Sequence, residues 1–183
     1  GDRAPDFTLK DQHGQDVLLA ATNNGAGGGG VYQSTDSGAT WTKISGNAIA
    51  NYVGFHPADG NRRAYALNDG TISVTTTGTW PGTTSTILAG ATASYTKFAF
   101  AASDVNVMYA LVSVGGTTNL MRSSTGGTSW AAVTPPTGFF YNSGYLYYTG
   151  NLWVDPTSAN RIAVVEGWAA TTPDATTATA SCC

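Results

Sequence analysis

The sequence predicts an all-β protein, a propeller-like array of four-stranded antiparallel blades with about three complete blades and a partial fourth. Three observations predict it. Charged residues are 10% of the 183, Glu occurs once (Glu166), and Gly, Thr, Ala and Ser dominate. Such a composition disfavours helices and favours strands and turns. Apolar and polar residues alternate with period 2, as at Val31 and Gln33 and again at Trp41 and Lys43, the pattern of half-buried strands. A unit then repeats along the chain. Asp16 precedes VLLAA, Asn61 precedes RRAYAL, Asn106 precedes VMYAL and Asn160 precedes RIAVV, at intervals of 45, 45 and 54 residues. Four strands in about 45 residues is the period of a propeller blade.

Each unit has the same grammar. A first strand comes early: FTL near Phe7, YVGF near Tyr52, FAF near Phe98 and LWV near Trp153. A loop follows, with Pro57 and Pro156 each four residues before the Asn of the repeat. The second strand begins after the Asp or Asn. A Gly-rich turn leads to the third strand: VYQS, TISVT and LMRSS. A polar turn then leads to a fourth strand opened by Trp41, Trp80 or Trp130. These signals bound the blades at about 4–46, 48–90, 94–137 and 144–168. Residues 169–183, in which TTPDATTATASCC shows no strand pattern, read as a Thr/Ala-rich flexible tail. An array with an incomplete last blade is expected to be a fragment, to pair with another copy, or to belong to a larger assembly.

The polar turn is best preserved in Ser34-x-Asp36-x-Gly38-x-x-Trp41. Asp36 can accept hydrogen bonds from turn N–H groups, Gly38 can take a positive φ, and Trp41 is expected to fold its ring under the turn and bury it. Ser123-x-Thr125-x-Gly127-x-x-Trp130 keeps all but the acid, and Ser73-x-Thr75-x-Thr77-x-x-Trp80 keeps the Ser and the Trp. Thr offers one hydroxyl where Asp offers two oxygens, so those turns should be tied more weakly.

The segment STDSGATW resembles the Asp-box, and SSTGGTSW is a near match. Asp-boxes occur in BNR-repeat propellers: sialidases, sortilin-type receptors, xyloglucan-active glycoside hydrolases and the photosystem assembly factor group. NRRAYAL and VDPTSANRIAVV resemble the second-strand entry of such blades, and the resemblance runs from Asp6 to about Trp168. It implies that Ser34, Asp36, Gly38, Trp41, Ser123, Thr125, Gly127 and Trp130 are structural, on turns away from the active face. The opening GDRAPDFTLKDQHGQDVLL taken alone looks like the first strands of a peroxiredoxin. That family requires a peroxidatic Cys some tens of residues on, and the only cysteines are Cys182 and Cys183.

Chemistry is sparse. A net charge of −3 gives no basic patch for a phosphate backbone, which argues against nucleic acid. No apolar run approaches the roughly 18 residues of a membrane span. The chain opens in GDRAPDF without a signal peptide and reads as a mature or trimmed product. Cys182 and Cys183 lie beyond the expected fold, either unremarkable or bonded to another chain or to a downstream segment. His13 and His56 fall on first turns without accompanying ligands and read as surface residues, so no metal is expected. GAGGGG at 25–30 lacks the Lys and helix of a phosphate loop, and no cofactor is expected. Sialidases share an arginine triad, yet Arg3, Arg62, Arg63, Arg122 and Arg161 form no such pattern. Glycosidases need two facing carboxyl groups. Asp11, Asp36, Asp59, Asp104 and Asp155 read as turn residues, and Glu166 as a strand end.

The third interval is nine residues longer than the others. The excess falls mostly between Trp130 and Trp153, where Phe139, Phe140, Tyr141, Tyr145, Tyr147, Tyr148 and Trp153 cluster. Rings with hydroxyl tips suit stacking on sugars or burial against a protein, with packing between blades as the competing role. The expected function is a secreted, non-catalytic propeller domain that binds carbohydrate or protein, or an extracellular structural subunit that self-associates through open blade edges. The alternative is a fragment of a xyloglucanase-type glycoside hydrolase, whose relatives build their cleft between two complete propellers.

Overall fold

The computed structural model describes residues 9–10, 14, 16–23, 29–46, 48–88, 93–134, 150–166, 168–172 and 181–182. They form four antiparallel sheets of four strands, each in chain order. The first holds β1 (Leu9–Lys10), β2 (Asp16–Thr22), β3 (Gly30–Ser34) and β4 (Thr42–Lys43). The second holds β5 (Ala50–His56), β6 (Asp59–Leu67), β7 (Thr71–Thr75) and β8 (Thr83–Thr86). The third holds β9 (Ala93–Phe100), β10 (Met108–Val114), β11 (Thr117–Ser123) and β12 (Ala131–Ala132). The fourth holds β13 (Asn151–Val154), β14 (Ile162–Glu166), β15 (Trp168–Thr172) and β16 (Ser181–Cys182).

The sheets share one register. Leu18 faces Ser34, Arg63 faces Thr75, Met108 faces Ser123 and Ile162 faces Thr172. The residues that mark the repeat, Asp16, Asn61, Asn106 and Asn160, each stand two places before those second-strand positions. Strand alternation then sends one row of side chains forward and one back. Three apolar clusters result, one at each junction of consecutive sheets. Val31 packs with Tyr65 and Leu67, Ile72 and Val74 with Phe98 and Met108, and Tyr109 and Leu111 with Leu152 and Val164. First strands approach each other across the junctions, β5 against β9 and β9 against β13. They are the inner strands of a radial array.

The end of the chain departs from the sequence reading. Residues 169–172 and 181–182, expected in a flexible tail, lie instead in the third and fourth strands of the last sheet. Cys182 therefore stands inside the fold, opposite Ala170, rather than beyond it. The segment WAATT lacks strongly apolar residues at alternate positions, so its pattern was silent. Thr172 stands where Ser34 stands in the first sheet, and Asp174, outside the described residues, follows it at the spacing of Asp36 from Ser34.

The second polar turn is also shifted by two residues. Gln33 faces Thr42, Val74 faces Thr83 and Arg122 faces Ala131. Thr75 thus takes the place of Ser34 and Ser123, and Gly82 takes the place of Trp41 and Trp130. A Cβ at Gly82 would lie 2.2 Å from the Val74 carbonyl oxygen, which leaves that position no room for a side chain. Trp80 sits two places earlier and serves the same junction by another route. Its ring centroid is 5.0 Å from that of Tyr65, and its indole N–H donates to Gln33 Oε1 on the first sheet at 2.9 Å.

Candidate functional site

The polar turns come first, because they carry the densest side-chain chemistry. Ser34 Oγ donates to Asp36 Oδ1 at 2.7 Å and accepts from the Gly38 N–H at 2.8 Å. The Thr40 N–H donates to Asp36 Oδ1 at 2.8 Å, and the Thr40 hydroxyl to Oδ2 at 2.5 Å. Donation by the Thr40 hydroxyl and N–H, with help from Ser34, holds the Asp36 carboxyl at about 2. The third turn repeats the geometry with hydroxyls. Ser123 Oγ accepts from the Gly127 N–H at 2.9 Å, and Thr125 Oγ1 accepts from the Ser129 N–H at 3.0 Å. The second uses Thr75 and Thr77, whose hydroxyls accept from the Thr77 and Thr79 N–H groups at 3.3 and 3.4 Å. Gly38 and Gly127 adopt φ of +92° and +91°. All these donors and acceptors are spent within the turn. The arrangement fastens backbone and leaves no aimed acid or nucleophile.

Trp41 does not bury its ring. It is 43% exposed, with its indole N–H bonded to the Gly38 carbonyl at 3.1 Å. Trp130, at the same register position, packs into the core between the second and third sheets. Its N–H meets Ser85 Oγ at 3.1 Å and the Gly127 carbonyl at 3.2 Å. These indoles pack on the sheet before their own, and no described sheet precedes the first.

His56 was expected on the surface and is instead fully buried. Its Nδ1 accepts from the Ala58 N–H at 3.1 Å, which leaves Nε2 to donate to the carbonyl of Ala101, just past the end of β9, also at 3.1 Å. Burial pushes its pKa below the usual imidazole value. The ring staples two sheets and is not poised for chemistry; His13 lies outside the described residues.

Three of the candidate carboxylates are taken up by turns, while Asp11 and the Glu166 side chain lie outside the described residues. Asp59 Oδ1 accepts from the Asn61 N–H at 3.0 Å, Asp104 Oδ1 from Asn106 at 2.9 Å, and Asp155 Oδ1 from Thr157 at 2.7 Å. The arginines are similarly dispersed. Arg63 donates to the Gly60 carbonyl at 2.7 Å, Arg122 to the Tyr109 hydroxyl at 3.2 Å, and Arg161 pairs with Asp155 at 3.4 Å. Among the described residues no group of three His, Cys, Asp or Glu converges as metal ligands would.

Phe139, Phe140, Tyr141, Tyr145, Tyr147 and Tyr148 lie outside the described residues, and Trp153 lies within them. Leu152 and Val154 face the third sheet, so alternation turns Trp153 outward, where it is 54% exposed. Trp153 borders a groove of about 340 Å³ along the inner strands β5, β9 and β13, lined also by Tyr52, Phe55, Pro57, Phe98 and Pro156. Tyr52 meets Phe98 edge to face, with centroids 5.2 Å apart and planes at 89°. Among the described residues no carboxylate, His, Lys or Arg lines the groove. At the same border of the undescribed aromatic stretch, the Lys97 ammonium donates to the Gly150 carbonyl and sits 5.7 Å from the centroid of Tyr95. Such a surface can stack on a flat apolar face or bury one. The sequence reading missed Tyr52, Phe55 and Phe98 as groove residues, although the aromatic first strands YVGF and FAF carried the signal.

Four-stranded sheets packed face to face around converging first strands define a β-propeller array. Comparison with solved structures agrees. A GH74 enzyme from Niastella koreensis superposes with a TM-score of 0.64 at 18% identity, over 97% of this chain and 29% of that one. An ancestral GH74 enzyme gives 0.59 at 16% identity, over 85% of this chain and 22% of that one. YCF48 bound to D1 peptide gives 0.51 at 14% identity, over 95% and 53%. The chain thus spans less than two thirds of each, and identity this low speaks to fold alone. The sequence matches no established family profile and no characterised protein.

Proposed function

We propose that this chain is an extracellular, non-catalytic propeller module of the Asp-box (BNR-repeat) kind, which works by binding carbohydrate or protein through its exposed aromatic surface. The observation that carries the reading is Trp153, a large ring 54% exposed beside a groove lined, among the described residues, by aromatic and apolar side chains. The box-like turns of Ser34–Trp41 and Ser123–Trp130 support the Asp-box assignment, because Ser, Asp or Thr, and Gly each hold the hydrogen bond their spacing allows. The aromatic residues 139–148 shortly precede Trp153 in the sequence. A second reading, part of a xyloglucanase-type glycoside hydrolase, draws on the likeness in fold to two GH74 enzymes.

The test is retention of the chain on a panel of immobilised β-glucans and xyloglucan, together with its self-association, for wild type and Trp153→Ala. The expected result is a partner that wild type binds and the variant loses, with an unchanged melting temperature. A Trp153→Ala chain that matches wild type in both readouts would overturn the binding surface. Release of reducing ends from xyloglucan by the wild-type chain would favour the second reading.

A further inference from the structure

The second polar turn departs from the first and third, and a pocket opens where it does. Gln33 and Val74 hold the same register position on the first and second sheets. At the junction of the second and third sheets, Val74 is buried, and a Cβ at Gly127 would meet it at 2.7 Å. At the junction of the first and second sheets the polar Gln33 takes that place, and Trp80 comes in from two residues before the usual Trp position. Between them lies a pocket of about 370 Å³, lined chiefly by Gln33, Thr35, Thr40, Thr42, Thr79 and Trp80. These residues belong to an internal junction of the array, and none of them lines the groove beside Trp153.

The lining sets neutral hydrogen-bonding groups around an aromatic ring. The Gln33 carbonyl accepts from two groups that can only donate, the Trp80 indole at 2.9 Å and the Arg63 guanidinium at 3.3 Å. Those partners fix which end of the amide is which, and among the described residues nothing accepts from its NH2 end. The Trp80 ring packs on Tyr65, with centroids 5.0 Å apart, and also forms part of the pocket wall. Thr35, Thr42 and Thr79 are exposed, and among the described residues their hydroxyls have no hydrogen-bond partner. The Thr40 hydroxyl donates to Asp36 Oδ2 at 2.5 Å, so toward a ligand it can only accept. Sugar hydroxyls both donate and accept, and they are set around an apolar C–H face that suits an indole. An anion has less to hold it. Among the described residues no cation lines the pocket, the buried Arg63 donates to Gln33 and to the Gly60 carbonyl, and the Asp36 carboxylate lies just behind Thr40.

We propose that this pocket between the first and second sheets binds a neutral sugar residue, a hexopyranose within an oligosaccharide. Its C–H face rests on Trp80, and its hydroxyls bond the Gln33 amide and the threonines. A pocket of this volume has room for a small ligand. The site is separate from the surface around Trp153 and holds whether or not that surface binds.

Heteronuclear NMR of the isotope-labelled chain tests it, by titration with cellohexaose, mannohexaose and lactose, and with inorganic phosphate as the charged contrast. The indole N–H resonance of Trp80, identified by its loss in Trp80→Phe, reports on the pocket wall. At least one of the three sugars is expected to move it saturably, and phosphate to leave it in place. The pair Thr42→Val with Thr79→Val removes two exposed hydroxyls at nearly constant shape. It should weaken that binding about tenfold or more, with the melting temperature unchanged. The proposal is overturned if none of the sugars moves the Trp80 resonance, if phosphate alone moves it, or if the paired variant binds as wild type does. It is also overturned if Trp153→Ala abolishes the shift, since the sugar would then sit in the other groove. If Trp153→Ala changes neither this shift nor retention on immobilised glucans, the surface around Trp153 falls and this pocket stands.

Discussion

The indole N–H of Trp130 donates to the hydroxyl of Ser85, 3.1 Å away on the neighbouring sheet. That hydroxyl in turn donates to the Gly127 carbonyl at 2.6 Å. Turn, ring and neighbour form one closed set of hydrogen bonds, so the polar turn of the third sheet also fastens the junction between sheets.

Trp130→Ala is therefore expected to cost about 2–4 kcal/mol, from a half-buried ring lost from the core edge and the lost indole N–H bonds to Ser85 and the Gly127 carbonyl. Trp41→Ala, at the same register position on an uncovered face, should cost under about 1 kcal/mol in dilute monomer. Urea unfolding of both variants at low concentration checks the contrast. Equal losses would mean that Trp41 packs as Trp130 does.

Glycine substitutions separate backbone strain from packing. Gly38 and Gly127 share φ near +90°, so Ala strains both, by about 1 kcal/mol or more. A Cβ at Gly38 meets only Leu18 Cδ1 at 3.4 Å and Trp41 at 4.0 Å. At Gly127 it would lie 2.7 Å from Val74 Cγ2 on the second sheet and 3.0 Å from Met108 Sδ. Gly127→Ala should lose at least about 1 kcal/mol more than Gly38→Ala, read as the difference in unfolding free energy.

His56 sets a pH dependence. Burial lowers its folded pKa below the ordinary imidazole value of about 6.5. Between the folded and unfolded values the unfolded chain binds more protons, so stability rises with pH there. The stabilisation is complete above the unfolded pKa and is lost as pH falls from about 6.5 toward the lower folded value. Thermal melts from pH 8 to 5 should fall through this window for wild type and flatten for His56→Gln. A parallel decline in the two would assign the effect elsewhere.

The sequence by itself determined the strands, their period and the chemistry of the turns. Those are local: alternation spans a few residues, and the bonds from Ser34 to Thr40 join residues at most four apart. The groove was legible only in part. Trp153 stood out, while Tyr52, Phe55 and Phe98 passed as ordinary strand residues because the groove forms where three sheets meet. Tertiary structure alone decided burial. Trp41 and Trp130 close matching turns, yet one is open and the other packed; His56 reads as a turn residue and is a buried staple. It also drew Trp168–Thr172 and Ser181–Cys182 into a fourth sheet. Pairing needs only a neighbouring strand's N–H and C=O groups, whatever the side chains. Burial and pairing depend on the element that lies opposite, which no residue's own sequence neighbourhood specifies.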